Sequence, residues 1–316
     1  SSPAPPVCGT TWLRSFQTEP ARLSNGLATD RQWYAFNFTA CLIKGFCRYD
    51  VIADALTTEG VYPVKAYCGS GGTPFAMATL WLNLIHDSVC GSYHEVILSI
   101  DVNHSRSDAV AFRATADRAA WASLYPTFGA SVCDAQFLHS LWINSPLSIA
   151  WGREMQAFPK HPKPVASTIT DGERQFAFDL RWGDDLILRG ATTKRVGMGD
   201  FLRQSGGLLT TQRPRDVLAF LAARSFDVPI QMPVKTAAQN NVPRHYVGHL
   251  WKGLNPAAVQ AWTWGAGDLL EFGEITLGTG CEEHNGHQLL RLAEFQPIAV
   301  TYIPCAAAFI EAQPDE

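Results

Sequence analysis

The chain has 316 residues, 47% of them hydrophobic and 17% charged, with 25 Lys and Arg against 29 Asp and Glu for a formal net charge of −4. A chain this long can bury a substantial core, and its ten Trp and seventeen Phe supply one, which excludes small stapled scaffolds and disordered chains. The slightly acidic balance, with no basic stripe, excludes readers of phosphate backbones and predicts no nucleic-acid partner.

In chain order, the first strand-like stretch is Gln32 to Phe38, with Arg31 just ahead of it. A short helix is predicted over Asp50 to Thr57, and Gly69 to Gly72 reads as a turn. In Tyr93 to Val102 the even positions His94, Val96, Leu98, Ile100 and Val102 are mostly apolar. The odd positions, Glu95, Ser99 and Asp101 among them, are mixed and polar, so this is a strand whose Glu95 faces away from the greasy side. A second helix is expected over Ala114 to Leu124. Phe137 to Asn144, a Ser145-Pro146 turn and Leu147 to Trp151 read as a hairpin. A clearer hairpin follows, in which Phe176, Phe178, Leu180 and Trp182 alternate with polar residues before the Gly183-Asp184-Asp185 break and Leu186 to Leu188. A helix over Pro214 to Arg224 opens on a proline, and Asn285-Gly286 suggests a last hairpin with a type I′ turn. Strands outnumber helices, which gives an α+β chain that is mainly antiparallel β, and without repeats or low-complexity tracts residues 1–316 read as a single domain.

Several site classes can be weighed quickly. No apolar stretch reaches the roughly 18 residues that span a bilayer, so no membrane partner is expected. Ser1 to Val7 lacks the basic start and apolar run of a signal peptide, which points to a cytoplasmic protein. The eight cysteines form no C-x-x-C pair and read as buried free thiols, and the sequons at Asn37 and Asn103 read as accidental. Glu282, Glu283, His284 and His287 could approximate a metal site, but the two histidines simply flank the Asn285-Gly286 turn, so no metal and no cofactor is expected. No G-x-S-x-G elbow or phosphate-binding glycine loop occurs.

The most informative stretch is Ser148 to Val165, SIAWGREMQAFPKHPKPV. Pro159 fixes its own φ and pushes Phe158 toward extended geometry, so Lys160 emerges from a stiff backbone that can aim an amine. A lysine nucleophile must be neutral, which requires its pKa to fall from about 10.4 through burial or a cationic neighbour. Phe158 and Pro159 favour burial, while His161 helps only when protonated. The alternative is a surface lysine with its head in water, on a loop that Pro159, Pro162 and Pro164 merely stiffen.

The segment IAWGREMQAFPKH resembles the signature of the acetoacetate decarboxylase superfamily, a GRE triplet followed by an aromatic-Pro-Lys. The resemblance extends over about positions 74 to 170. It implies a cone-shaped, mainly antiparallel β-barrel with short peripheral helices, and Lys160 as the Schiff-base lysine with Glu95 as its acidic partner. Arg153 and Glu154 would support the lysine as a buried Arg-carboxylate network, and Arg31, Phe158 and His161 would bind substrate. Two departures stand out. His161 occupies the place of the second lysine of true acetoacetate decarboxylases, and the second pocket glutamate falls at about Leu80 or Trp81. Insertions around Asp101 to Ala130 and after Thr193 add to the departure from a small substrate. The implied protein is a lyase acting on a small-molecule carbonyl compound, by decarboxylation or a related carbon-carbon bond reaction on a bulky, secondary-metabolite type of substrate. Aldolase, dehydratase or cyclase chemistry without decarboxylation, or a silent barrel that binds a hydrophobic ligand, are the alternatives; homo-oligomerisation stays open.

Overall fold

In the computed structural model, residues 18–68, 72–105, 112–114, 133–173, 175–193, 230–235, 245–246, 260–263, 275–280 and 285–310 are described. A long apolar run such as residues 75–85 becomes a long strand here, because it is buried on both faces. In chain order the elements are β1 (Pro20–Arg22), β2 (Ala28–Asp30), β3 (Trp33–Arg48), α1 (Tyr49–Ala55), β4 (Tyr62–Pro63), β5 (Ala66–Cys68), β6 (Phe75–Ser88) and β7 (Tyr93–Asn103). There follow β8 (Phe112–Ala114), β9 (Ala135–Ile143), α2 (Pro146–Gln156), β10 (Ala166–Asp171), β11 (Gln175–Trp182), β12 (Asp185–Thr193), β13 (Ile230–Gln231), β14 (His245–Tyr246), β15 (Gln260–Thr263), β16 (Thr276–Leu277), α3 (Gly286–Leu292) and β17 (Gln296–Ile310).

The main sheet has eleven strands, with the path β14-β13-β9-β7-β6-β3-β17-β15 and β4, β5 and β8 attached beside it. Its central pairings are antiparallel, while β13 joins β9 and β5 joins β8 in parallel. A smaller sheet of order β10-β11-β12-β16 and the β1-β2 ribbon complete the strands. This is the mainly antiparallel α+β architecture expected from the sequence, and among the described residues no sheet closes on itself.

Period-2 alternation divides the main sheet between two cores. On β7, Val96, Leu98, Ile100 and Val102 join a cluster with Phe176, Phe178 and Leu180 of the small sheet and with Leu289 and Leu290 of α3. Tyr93 and Ile97 face the other cluster, with Trp81, Leu141, Ile149, Trp151 and Phe158. Glu95 therefore does face away from the first greasy side, yet its own side is no more open to water.

The hairpin around Gly183 forms as expected, with β11 paired to β12 and Gly183 at φ +58°, a turn conformation that glycine adopts freely. The early helix appears as α1, and the strand-like Gln32 to Phe38 lies largely within β3, which runs on to Arg48. Two expected hairpins are overturned. Ser145-Pro146 starts helix α2: the Ser145 side chain accepts from Ser148 N at 3.2 Å and Pro146 occupies the first helical turn. Asn285-Gly286 likewise opens α3, where Asn285 O accepts from Leu289 N at 2.9 Å. The helix over Pro214 to Arg224 and most of the one over Ala114 to Leu124 and of the Gly69 to Gly72 turn lie outside the described residues, although Ala114 itself ends β8.

Candidate active site

Helix α2 and the segment after it form a cradle for one lysine. The helix ends at Ala157, whose left-handed φ of 54° lets the chain reverse, with Phe158 N donating to Gly152 O at 2.9 Å. The chain then runs beside β9: Leu141 N donates to Pro159 O at 3.2 Å, and His161 N donates to Leu141 O at 2.8 Å. These bonds fix Lys160 as an isolated bridge to Leu141. Its side chain returns along α2 across Gly152, where a Cβ would collide with Lys160 Cδ, Cε and Nζ. Glycine is therefore required there by a close approach, inside a helix where it otherwise costs about 1 kcal/mol.

Lys160 is 2% exposed. Its Nζ donates to Ser148 O at 2.8 Å and Ser148 Oγ at 3.0 Å, and lies 3.8 Å from Glu95 Oε2 and 5.6 Å from the centre of the Phe158 ring. Glu95 Oε1 accepts from Asn83 Nδ2 at 3.4 Å, because Asn83 of β6 is the register partner of Glu95. Burial, the larger cause, pushes the Lys160 amine below the ordinary lysine range, and the Glu95 charge acts against it. Burial likewise pushes the Glu95 carboxyl above the ordinary carboxylate range, with Lys160 and Asn83 opposing. Both shifts favour moving the shared proton from nitrogen to carboxyl, which gives a neutral amine beside a carboxylic acid with no change in the charge of the pair.

The other expected site residues are not all brought to the amine. Phe158 is, as part of the same core. Arg153 supports the segment directly, donating from Nη1 to Lys160 O at 3.1 Å. Glu154 instead accepts from Ser24 N and Ser24 Oγ, each at 2.7 Å, so the expected buried Arg153-Glu154 network is replaced by two separate anchors. Adjacent helical residues point about 100° apart and cannot both face the lysine. Arg31 lies 3.7 Å from Glu19 with a side chain 38% exposed, and the neighbouring Asp30 O accepts from Trp151 Nε1 of α2. His161 is buried, but alternation along the extended segment turns it away from the amine, and its ring packs on Trp182 at 4.6 Å and bonds Lys163 O at 2.8 Å. Lys163 itself is exposed. Among the described residues no neighbouring cation contributes to lowering the pKa of the amine, and desolvation lowers it.

At the expected second acid, Leu80 lies in the opposite core and Trp81 donates to Ser99 Oγ at 2.9 Å. Four residues that sequence reasoning passed over border the pair, Ser148, Asn83, Tyr93 and Cys90, with Trp33 behind Tyr93. Tyr93 Oη accepts from Trp33 Nε1 at 3.1 Å, and burial pushes its hydroxyl well above the ordinary phenol range. Burial also raises the Cys90 thiol to about 11. Further along the same face Lys44 and Asp101 form another buried pair at 3.6 Å. Among the described residues no His, Cys, Asp or Glu cluster is arranged for a metal ion; Glu282 to His284 lie outside them, and His287 is buried against Trp142. Cys41, Cys47, Cys90 and Cys133 are free thiols.

Comparison with protein-family models and with curated proteins gives no match. Solved structures do match. Acetoacetate decarboxylase from Legionella pneumophila superimposes with a TM-score of 0.52 at 13% identity, over 99% of this chain and 96% of that one. An acetoacetate decarboxylase-like enzyme from Sphingomonas wittichii RW1 matches with a TM-score of 0.46 at 14% identity, over 89% and 90%. The enduracididine biosynthesis enzyme MppR, complexed with the condensation product of pyruvate and imidazole 4-carboxaldehyde, matches with a TM-score of 0.42 at 11% identity, over 93% and 88%. The chain has the acetoacetate decarboxylase fold. No helix among the described residues is long and apolar enough to cross a membrane.

Proposed function

We propose that this chain is a lyase in which Lys160 forms a Schiff base with a small-molecule ketone or β-keto acid. The carrying observation is the enclosed amine: 2% exposed, hydrogen-bonded to Ser148 and 3.8 Å from a buried carboxyl. In the neutral amine, two N–H groups satisfy the two Ser148 oxygens and leave the lone pair for an incoming carbonyl carbon. The N–C bond forms as the carbonyl π electrons move to oxygen, and that oxygen departs as water once protonated. The resulting iminium accepts the electron pair of the adjacent Cα–carboxylate bond, releasing CO2 and leaving an enamine. Protonation at Cα, with Glu95 as the acid, and hydrolysis then return the free lysine.

The sheet that carries Glu95 would close into a cone-shaped barrel around this face, with the substrate inside it. Phe158 provides an apolar wall, and the Trp81 indole where a second acid was expected leaves Glu95 as the acid within ion-pair range of Lys160 among the described residues. A single acid also suits aldol-type cleavage, dehydration or cyclisation of a bulkier carbonyl compound, which pass through the same iminium and enamine. The test is borohydride reduction with a ketone present, followed by mass mapping. The expected result is a ketone-derived adduct on Lys160; label confined to exposed lysines such as Lys163 would overturn the proposal. Stoichiometric CO2 from a panel of β-keto acids supports decarboxylation, and its absence from a chain that labels at Lys160 supports the aldol-type branch.

A further inference from the structure

The Lys160 amine is held by one residue with two acceptors, and that residue is itself held. Ser148 sits in the first turn of α2, wholly buried, and its hydroxyl is distinct from the helix cap, which Ser145 supplies. An ammonium has only donors, so the Lys160 bond at 3.0 Å must enter a lone pair of Ser148 Oγ. The Ser148 hydrogen is then free for its other side-chain partner, Tyr93, whose oxygen also accepts from Trp33 Nε1 at 3.1 Å. Tyr93 stays a neutral phenol because burial opposes its ionisation, so this chain of bonds does not carry the proton away from the amine. It turns a lone pair of the serine toward the lysine and keeps it there.

We propose that Ser148, oriented by Tyr93 and Trp33, is the positioning residue that fixes the Lys160 amine with its third direction, lone pair or proton, turned toward Glu95. This rests on the Schiff-base reading above and deepens it. Among the described residues the titratable and charged groups around the amine are few. Glu95 and Tyr93 come from β7 and Cys90 from the turn before it. Arg153 of α2 is spent on the Lys160 carbonyl, and His161 points to Trp182. With so few neighbours, loss of the Ser148 hydroxyl should be read directly in the titration of Lys160. The ammonium loses one acceptor, so its pKa falls further, and the neutral amine loses its fixed direction.

The experiment is the initial rate of borohydride trapping of acetone at Lys160 against pH, in wild type, Ser148→Ala, Ser148→Thr and Tyr93→Phe. Ser148→Ala is expected to move the midpoint down by about one pH unit and to lower the plateau about tenfold. Ser148→Thr keeps the acceptor and is expected to keep the wild-type midpoint. Tyr93→Phe leaves Ser148 in place but frees its hydrogen to face the amine, and is expected to lower the plateau as well; it carries the test if Ser148→Ala does not fold. A merely structural serine would move stability and leave the profile unchanged. Labelled wild type with a superimposable Ser148→Ala profile overturns this proposal alone, whereas unlabelled wild type overturns the Schiff-base reading and this proposal with it.

Discussion

At Lys160 and Glu95 the cost of burial is larger than the attraction between the two charges, and the directions of their shifts follow from that balance. A lysine whose pKa is lowered is neutral over a wider range of pH, so trapping of a ketone should rise with pH through a midpoint below that of free lysine. Glu95 raises that midpoint through its charge. Glu95→Gln should therefore move the trapping midpoint to lower pH and speed trapping near neutrality. The same variant lacks the acid that returns a proton to the enamine, so turnover should fall by about 10²- to 10⁴-fold. Trapping rates and steady-state turnover measured on one preparation would separate the two effects, and a parallel loss of both would assign Glu95 to binding instead. From its own strand Glu95 was legible only as a carboxylate on the less greasy side, and its pairing with Lys160 came from the family resemblance. Asn83 carried no signal, because nothing but the register of β6 against β7 brings it to Glu95.

Helix α2 shows how one element can carry most of a site. Its N-cap sets its start, Ser148 meets the amine, Gly152 gives the lysine stem its path and Arg153 holds the lysine backbone. Gly152→Ala tests this directly, since alanine inside a helix normally gains about 1 kcal/mol over glycine. Here the new Cβ meets the Lys160 stem, which must leave Ser148. The expected outcome is trapping reduced at least about tenfold while the urea unfolding free energy stays within about 1 kcal/mol of wild type. A large loss of stability with intact trapping would contradict it. The same helix was misread from sequence for a physical reason: a serine followed by proline serves both a tight turn and a helix start, and Leu147, Ile149 and Trp151 read as one strand face. Asn285-Gly286 is ambiguous in the same way, since asparagine suits both a hairpin turn and a helix start. The Gly183 hairpin was readable because its alternation and its turn glycine agree.

Across the whole molecule, one sheet covered on both faces explains what the sequence showed and what it hid. The mainly antiparallel architecture was visible in the alternation of β7 and β11, whereas burial on both faces of the main sheet makes its polar residues costly and unexpected. Lys160 was named through a local motif and Glu95 through the wider resemblance around it; Lys44 and Asp101, with side chains 7% and 0% exposed, had no motif to mark them. Lys44→Met should remove the counter-charge of a fully buried carboxylate and cost about 3–5 kcal/mol in urea unfolding, far more than a surface pair, whose loss costs at most about 1 kcal/mol. A cost at the surface level would mean that solvent or other groups compensate Asp101.

The central claim concerns the charge state of one amine inside the sheet. Its most direct test is the titration of Lys160 itself, by NMR of selectively labelled lysine side chains with Lys160→Arg used to assign the signal. The account predicts a single resonance that titrates below all the exposed lysines, and further below them in Glu95→Gln. A Lys160 signal that titrates at the free-lysine value would contradict it.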